Sequence, residues 1–417
     1  MDDMTRRGFI AAGAVAAAPY ILKSQDKAGT KNPIIGDGEH KYECIHDWGQ
    51  LPSNIKYGNT HSVVEDSQGH IYIHHTVHKD SPSGDSVVVF DDKGKFVRSF
   101  GPMFRGGAHG LFLNKEGRDE VLYFCDEKHG IITKRTLKGE EIWTMGYPQD
   151  SPIYQKGPGS TGPGGAAGLN YRPTNFAIAP NGDFWVGDGY GSYYMFHYSQ
   201  KGNSYPKLVK TFGGPPAGAA APGGGGGRGQ GKGGDQAKGP AFAGGDQAKG
   251  PAPAPNQAKG GGRGAVPPPG QPGVPRDVPI ESMNNPHGNM VDLRDPANPI
   301  LLVADRGHSR IVRYTLDDKP IDVVAGTKSP CHFHTHKDTI VVPDLQARVT
   351  LLDKNNKIIL HLGEPTMPNP PRTTENRADF IPGQFVQPHG AVFDHAGNIF
   401  VAEWVEIGRV TKLRKLA

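Results

Sequence analysis

Long apolar runs, cysteine pairs and an excess of one charge are all missing from this 417-residue chain. Past its first twenty residues, no apolar stretch nears the roughly 20 residues that cross a bilayer as a helix, so a mature chain without a stable membrane span is expected. Cys44, Cys125 and Cys331 are odd in number and far apart, so no disulfide framework can be read. Lys and Arg total 46 against 42 Asp and Glu, with no basic stripe. Nucleic acid and anionic membrane surfaces are therefore not expected partners. The abundant residues are Gly (59), Pro (37) and His (18). The first two indicate many turns or a low-complexity segment, and both are present. The placement of the histidines carries the functional information.

The N-terminus reads as an export signal. Thr5-Arg6-Arg7-Gly8-Phe9-Ile10 has the twin-arginine pattern, and a weakly apolar Ala, Gly and Val run follows to Pro19. That run is too short for a membrane span, and Ala16-Ala17-Ala18 offers a cleavage site. Residues 1–30 are accordingly assigned to signal and leader, with the twin-arginine machinery as a partner and a periplasmic or extracellular location. This route carries folded proteins, often with a cofactor already inserted.

One unit recurs along the chain. An apolar strand leads through a turn to a second strand ending in a small residue and an acid, and further strands follow. Ala108-His109-Gly110-Leu111 leads to Val121–Asp126, and Thr174-Asn175-Phe176 leads to Asp183–Asp188. Pro286-His287-Gly288 leads to Ile300–Asp305, and Pro388-His389-Gly390 leads to Asn398–Glu403. Copies at Thr60 and Cys331 complete the series. Short strands bounded by turn residues are the strand signature. Four strands per unit, six times over, predict an all-β, six-bladed propeller over 41–415. The last unit stops after its third strand, so Tyr42–Trp48 is expected to supply the missing outer strand and close the ring. Residues 214–280 do not fit the repeat. They carry Gly-Gly-Asp-Gln-Ala-Lys-Gly-Pro-Ala twice, from Gly233 and Gly244, and have almost nothing to bury. A disordered insertion is expected there.

Aligning the units places His61, His109, Asn175, His287 and His389 at one position of the first strand, with Cys331 or His332 in the fifth unit. The first strand of a blade is innermost, so this position faces the axis. His109, His287 and His389 fall in alternate units, roughly 120° apart in a six-fold ring. Three imidazoles converging there would hold one divalent transition metal, and three histidines plus water is an open zinc arrangement. Gly110, Gly288 and Gly390 follow them and permit close backbone approach. Tyr190 and Arg306 lie in loops on the same face. The first could act as a base beside a cation and the second could bind a carboxylate. His74, His75 and His78 cluster in the first unit, and His332, His334 and His336 alternate on one strand.

The ordered set Ala-His109-Gly-Leu, Asp-Gly-Tyr190, Pro-His287-Gly, Ala-Asp-Arg306 and Pro-His389-Gly, on NHL-like repeats, resembles peptidyl-α-hydroxyglycine α-amidating lyase. The resemblance covers about 41–415 without the insertion. It implies zinc on three histidines, a tyrosine and arginines for the chemistry, and a peptide C-terminal or small-molecule substrate cleaved to an amide and glyoxylate. Two positions depart from the family. His75 stands where a catalytic arginine is expected and takes its place as a candidate. Gly390 stands where the family has an aspartate tied to calcium, so the calcium does not carry over. A different propeller metalloenzyme, such as a hydrolase or lactonase, and a non-catalytic binding propeller remain open, because this scaffold hosts many chemistries.

Overall fold

The computed structural model describes residues 22–23, 32–154, 171–216 and 278–416. The twin-arginine motif and residues 217–277 of the insertion lie outside them. Short strands pair antiparallel in sequence order. Blade one is β4 (Thr60–Glu65), β5 (Ile71–His75), β6 (Val87–Phe90) and β7 (Phe96–Phe100). Blade two is β8 (Ala108–Glu116), β9 (Asp119–Asp126), β10 (Ile131–Thr136) and β11 (Glu141–Met145). Blade three is β12 (Phe176–Ile178), β13 (Phe184–Gly187), β14 (Tyr194–Ser199) and β15 (Lys207–Gly213). Blade four is β16 (Pro286–Asp292), β17 (Ile300–Asp305), β18 (Arg310–Thr315) and β19 (Pro320–Val324). Blade five is β20 (His334–His336), β21 (Thr339–Asp344), β22 (Arg348–Leu352) and β23 (Ile358–Leu362). Blade six is β24 (Pro388–Phe393), β25 (Ile399–Glu403) and β26 (Arg409–Lys415), completed by an N-terminal strand, β3 (Tyr42–Ile45).

The protein is thus an all-β, six-bladed propeller closed as its sequence predicts, with β26 antiparallel to β3. The closure goes further than expected. The strands β2 (Pro33–Ile35) and β1 (Leu22–Lys23) add to β3, so this sheet has six strands. Among the described residues no helix is long and apolar enough to cross a membrane.

Each blade is covered on both faces by its neighbours, so the core is divided among the seams between blades. Tyr123, Trp143, Phe176 and Phe184 fill the seam between blades two and three. Tyr42, Leu351, Ala391 and Leu413 fill that between blades five and six. Middle strands such as β22 and β25 are buried throughout, whereas the outermost strand β15 has no buried residue. Leu413 is fully buried on the strand that meets the N-terminal one. Leu413→Ala should cost about 2–5 kcal/mol in chemical denaturation, the range for a buried leucine. A loss well below that would mean that the closing seam is not part of the cooperative core.

Candidate metal centre

Four of the six first strands open with the same irregularity. Register breaks between Thr60 and Ser62, Ala108 and Leu111, Pro286 and Asn289, and Pro388 and Gly390. Bulges of this kind re-aim one side chain out of the ladder. The re-aimed residues are His61, His109, His287 and His389. Counting back from the paired residues Phe176 and Val186 puts Thr174 at this position in blade three, one residue before the expected Asn175. In blade five the backbone bond from Cys331 N to Pro343 O matches that from Thr174 N to Gly187 O, so Cys331 rather than His332 is the equivalent. The axial positions of blades one to six are therefore His61, His109, Thr174, His287, Cys331 and His389.

The predicted trio is brought together. Ring centroids are 4.7 Å apart for His109 and His287, 4.7 Å for His287 and His389, and 4.9 Å for His109 and His389. Each Nδ1 lies against a backbone carbonyl of the next blade. His109 meets Thr174 O at 2.6 Å, His287 meets Cys331 O at 2.9 Å, and His389 meets His61 O at 3.0 Å. A carbonyl can only accept, so each Nδ1 carries the proton and each Nε2 presents a lone pair. This is the outer-shell arrangement that orients a metal-binding imidazole. The glycines explain how the carbonyls come so close. A Cβ on Gly110, Gly288 or Gly390 would lie 2.4, 2.5 or 2.5 Å from those same oxygens of Thr174, Cys331 and His61.

The converging lone pairs lack donors. The Tyr190 hydroxyl sits 3.1 Å from His287 Nε2 and 3.3 Å from His109 Nε2, but its single proton serves only one of them. Buried His389 Nε2 has no hydrogen-bond partner among the described residues. The ligand atoms of His61, His109 and His389 lie within 4.8 Å of one another, as do those of His287, Cys331 and His389. Burial holds the imidazoles neutral. His109 is pushed down to about 3, and His287 and His389 lie well below the usual range, helped by Arg306 and by each other. Neutral nitrogen donors without carboxylates fit a divalent transition metal, so the residues suit such an ion.

Tyr190 reaches the cluster because its loop is tightly held. Asp188 is fully buried and accepts Arg172 N at 2.7 Å, Ser192 N at 2.8 Å and Ser192 Oγ at 2.6 Å, and also Tyr154 Oη. Gly189 passes over the start of β16, where a Cβ would meet Pro286 O at 2.4 Å. Arg306 stands on the turn after Asp305, with its guanidinium 5.1 Å from the Tyr190 ring centre and 4.0 Å from Cys331 Sγ. Burial raises the Tyr190 phenol and Arg306 opposes that. Sequence reasoning missed Arg172. Its guanidinium is also 5.1 Å from the Tyr190 ring centre and is held by an ion pair with Glu127. No repeat position marks it, because it lies in the loop before β12.

The structure does not bring His75 to this cluster. His75 ends β5 where the other blades carry Asp126, Asp188, Asp305, Asp344 and Glu403. It does their work, with Nδ1 accepting Val77 N at 3.0 Å and Gly58 N at 3.4 Å, and its ring lies 4.8 Å from Tyr57. His75→Asn keeps an acceptor for those amides. It should retain metal and turnover and lose only about 1 kcal/mol of stability. A folded, metal-replete variant without turnover would return His75 to the site. Of the alternating trio, His332 and His334 are engaged by Ala391 O at 3.2 Å and Phe393 N at 3.1 Å.

Fold and site together define a six-bladed β-propeller with a histidine-lined axial centre. Among solved structures the chain is similar to a streptogramin B lyase, at 10% identity and a TM-score of 0.48, over 91% of this chain and 99% of that one. It is also similar to a gluconolactonase from Xanthomonas campestris, at 10% identity and a TM-score of 0.49, over 90% of each chain. A third similar structure is a catalytically inactive virginiamycin B lyase from Staphylococcus aureus with quinupristin, at 12% identity and a TM-score of 0.45, over 90% of this chain and all (100%) of that one. No protein-family profile and no curated protein matches the chain. Identities this low transfer no residue role.

Proposed function

We propose that this protein is an exported, metal-dependent lyase that cleaves the C–N bond of an α-hydroxyglycine-type substrate to an amide and glyoxylate. One observation carries the reading: a buried set of donor-poor imidazoles with a tyrosine hydroxyl against two of them and an arginine over that tyrosine. His109, His287 and His389 would hold a divalent transition metal, which supplies Lewis-acid polarisation of the substrate hydroxyl oxygen. The substrate carries a carboxylate, and the Arg306 guanidinium can bind one with two parallel hydrogen bonds. Arg172, pinned by Glu127, adds positive charge on the same side. Tyr190 takes the hydroxyl proton as general base. The O–H electron pair becomes the glyoxylate C=O, the C–N bond breaks, and the amide nitrogen takes up a proton. No water is consumed.

A second reading has its own support. Blade one contributes no arginine to the site, because His75 is committed to its loop. A site with fewer carboxylate contacts also suits a metal-dependent hydrolase or lactonase. The deciding experiment offers the purified, metal-analysed protein a peptide ending in α-hydroxyglycine and measures glyoxylate with and without a chelator. Chelator-sensitive release is expected. Metal-replete protein that releases none would sink the lyase and leave the hydrolase. Metal-free protein that never takes up an ion would point to a binding propeller.

A further inference from the structure

His61 occupies the same bulged position as the three predicted ligands, yet it is wired differently. Around the ring, each ligand Nδ1 is tied to the carbonyl at the axial position of the next blade. For His61 that carbonyl belongs to His109, and it is taken by Ser62 Oγ at 2.7 Å. Ser62 stands where Gly110, Gly288 and Gly390 follow the other three. His61 is therefore not locked in one tautomer, and either nitrogen can offer a lone pair. Its Nδ1 is buried without a partner among the described residues, and the residue is only 6% exposed. Buried polar atoms in stable structures are normally paired. The ring is 4.5 Å from that of His389 and 5.0 Å from that of His109, and its ligand atom groups with theirs within 4.8 Å.

We propose that His61 is a fourth imidazole ligand, which makes this a four-histidine centre for a five- or six-coordinate metal such as Fe(II) or Ni(II). The inference rests on the reading that the axial cluster holds a metal at all. Four imidazoles fill a tetrahedral zinc and leave no position for substrate. An ion of higher coordination number keeps positions open, and imidazole suits iron and nickel as well as zinc. The ligand set therefore selects against the zinc that three histidines alone would suggest. Its neutrality also leaves the full charge of the ion to act on substrate.

The test is X-ray absorption on the holoprotein as purified, and on protein reloaded with Co(II) alone, for wild type and His61→Ala. Wild type should show four imidazoles and at least one further light-atom ligand, with the weak visible bands of five- or six-coordinate cobalt. His61→Ala should show three imidazoles and bind Co(II) more than about 100-fold more weakly, beyond what loss of an outer-shell partner costs. Three imidazoles in a four-coordinate wild-type site, unchanged by His61→Ala, would overturn the fourth ligand and leave the three-histidine centre standing. Failure of wild type to take up any ion would remove both readings. The wild-type spectrum decides the matter even if the variant does not fold.

Discussion

His389→Ala is expected to fold as the same propeller and to emerge from purification without the metal ion proposed for the axial cluster. His389 belongs to both sets of converging ligand atoms, one with His61 and His109 and the other with His287 and Cys331. Its Nε2 is buried with no partner among the described residues, so in the metal-free chain it contributes an unsatisfied acceptor rather than a structural bond. An unpaired buried polar atom costs about 1–3 kcal/mol, which the truncation relieves. Against that stand the lost ring contacts and the bond from Nδ1 to His61 O. The net change in thermal stability of the metal-free proteins should be small. The change in affinity should exceed the roughly 10–100-fold that loss of an outer-shell partner costs, because a coordinating atom is gone. Elemental analysis and metal titration of wild type and variant decide this. A variant that keeps a full equivalent of metal would show that the ion sits elsewhere.

How much of this was legible beforehand follows from which features recur. The six repeats and the closing strand could be read because the blades use their residues alike: apolar strand, turn, apolar strand and, in all but blade one, a buried acid. The trio could be read because a histidine followed by glycine marks it three times. The place of Thr174 was legible but missed: eight residues separate it from Gly182, as they separate His61 from Gly69 and His389 from Gly397. His61 was aligned correctly but left out of the trio, because alternate blades suggested three-fold symmetry. In the structure Ser62 takes the carbonyl His61 would otherwise need. The place of His75 apart from the cluster was not legible, for a related cause. A histidine at the end of a second strand looks like chemistry, yet the backbone there needs only an acceptor, which Nδ1 supplies as well as a carboxylate does. Arg172 was invisible because its place depends on Glu127 and Tyr190, which are distant in sequence and meet only across blades two and three.

Tyr190→Phe is expected to leave the metal in place and to lower turnover by about 100- to 10,000-fold, the range associated with loss of a positioned acid or base. The substitution removes only the hydroxyl. The phenyl ring keeps the face over which Arg306 and Arg172 sit, each 5.1 Å from its centre, so the arginines are not released. The loop is held through Asp188, Ser192 and Tyr154 and does not depend on the hydroxyl. In the metal-free protein the hydroxyl competes for His287 Nε2 and His109 Nε2, at 3.1 Å and 3.3 Å. Its removal frees both lone pairs, so metal uptake should be undiminished. That combination separates the possible roles of this residue. A tyrosine that coordinates the ion would cost affinity when lost, and one that only packs would cost neither affinity nor turnover. A tyrosine that moves a proton costs turnover alone. The comparison is made on metal-replete proteins at saturating substrate, so that kcat reports the proton transfer and not occupancy. If Tyr190→Phe turned over at the wild-type rate with its metal bound, the base would have to be another group, and the arginine-flanked hydroxyl would lose its place in the mechanism.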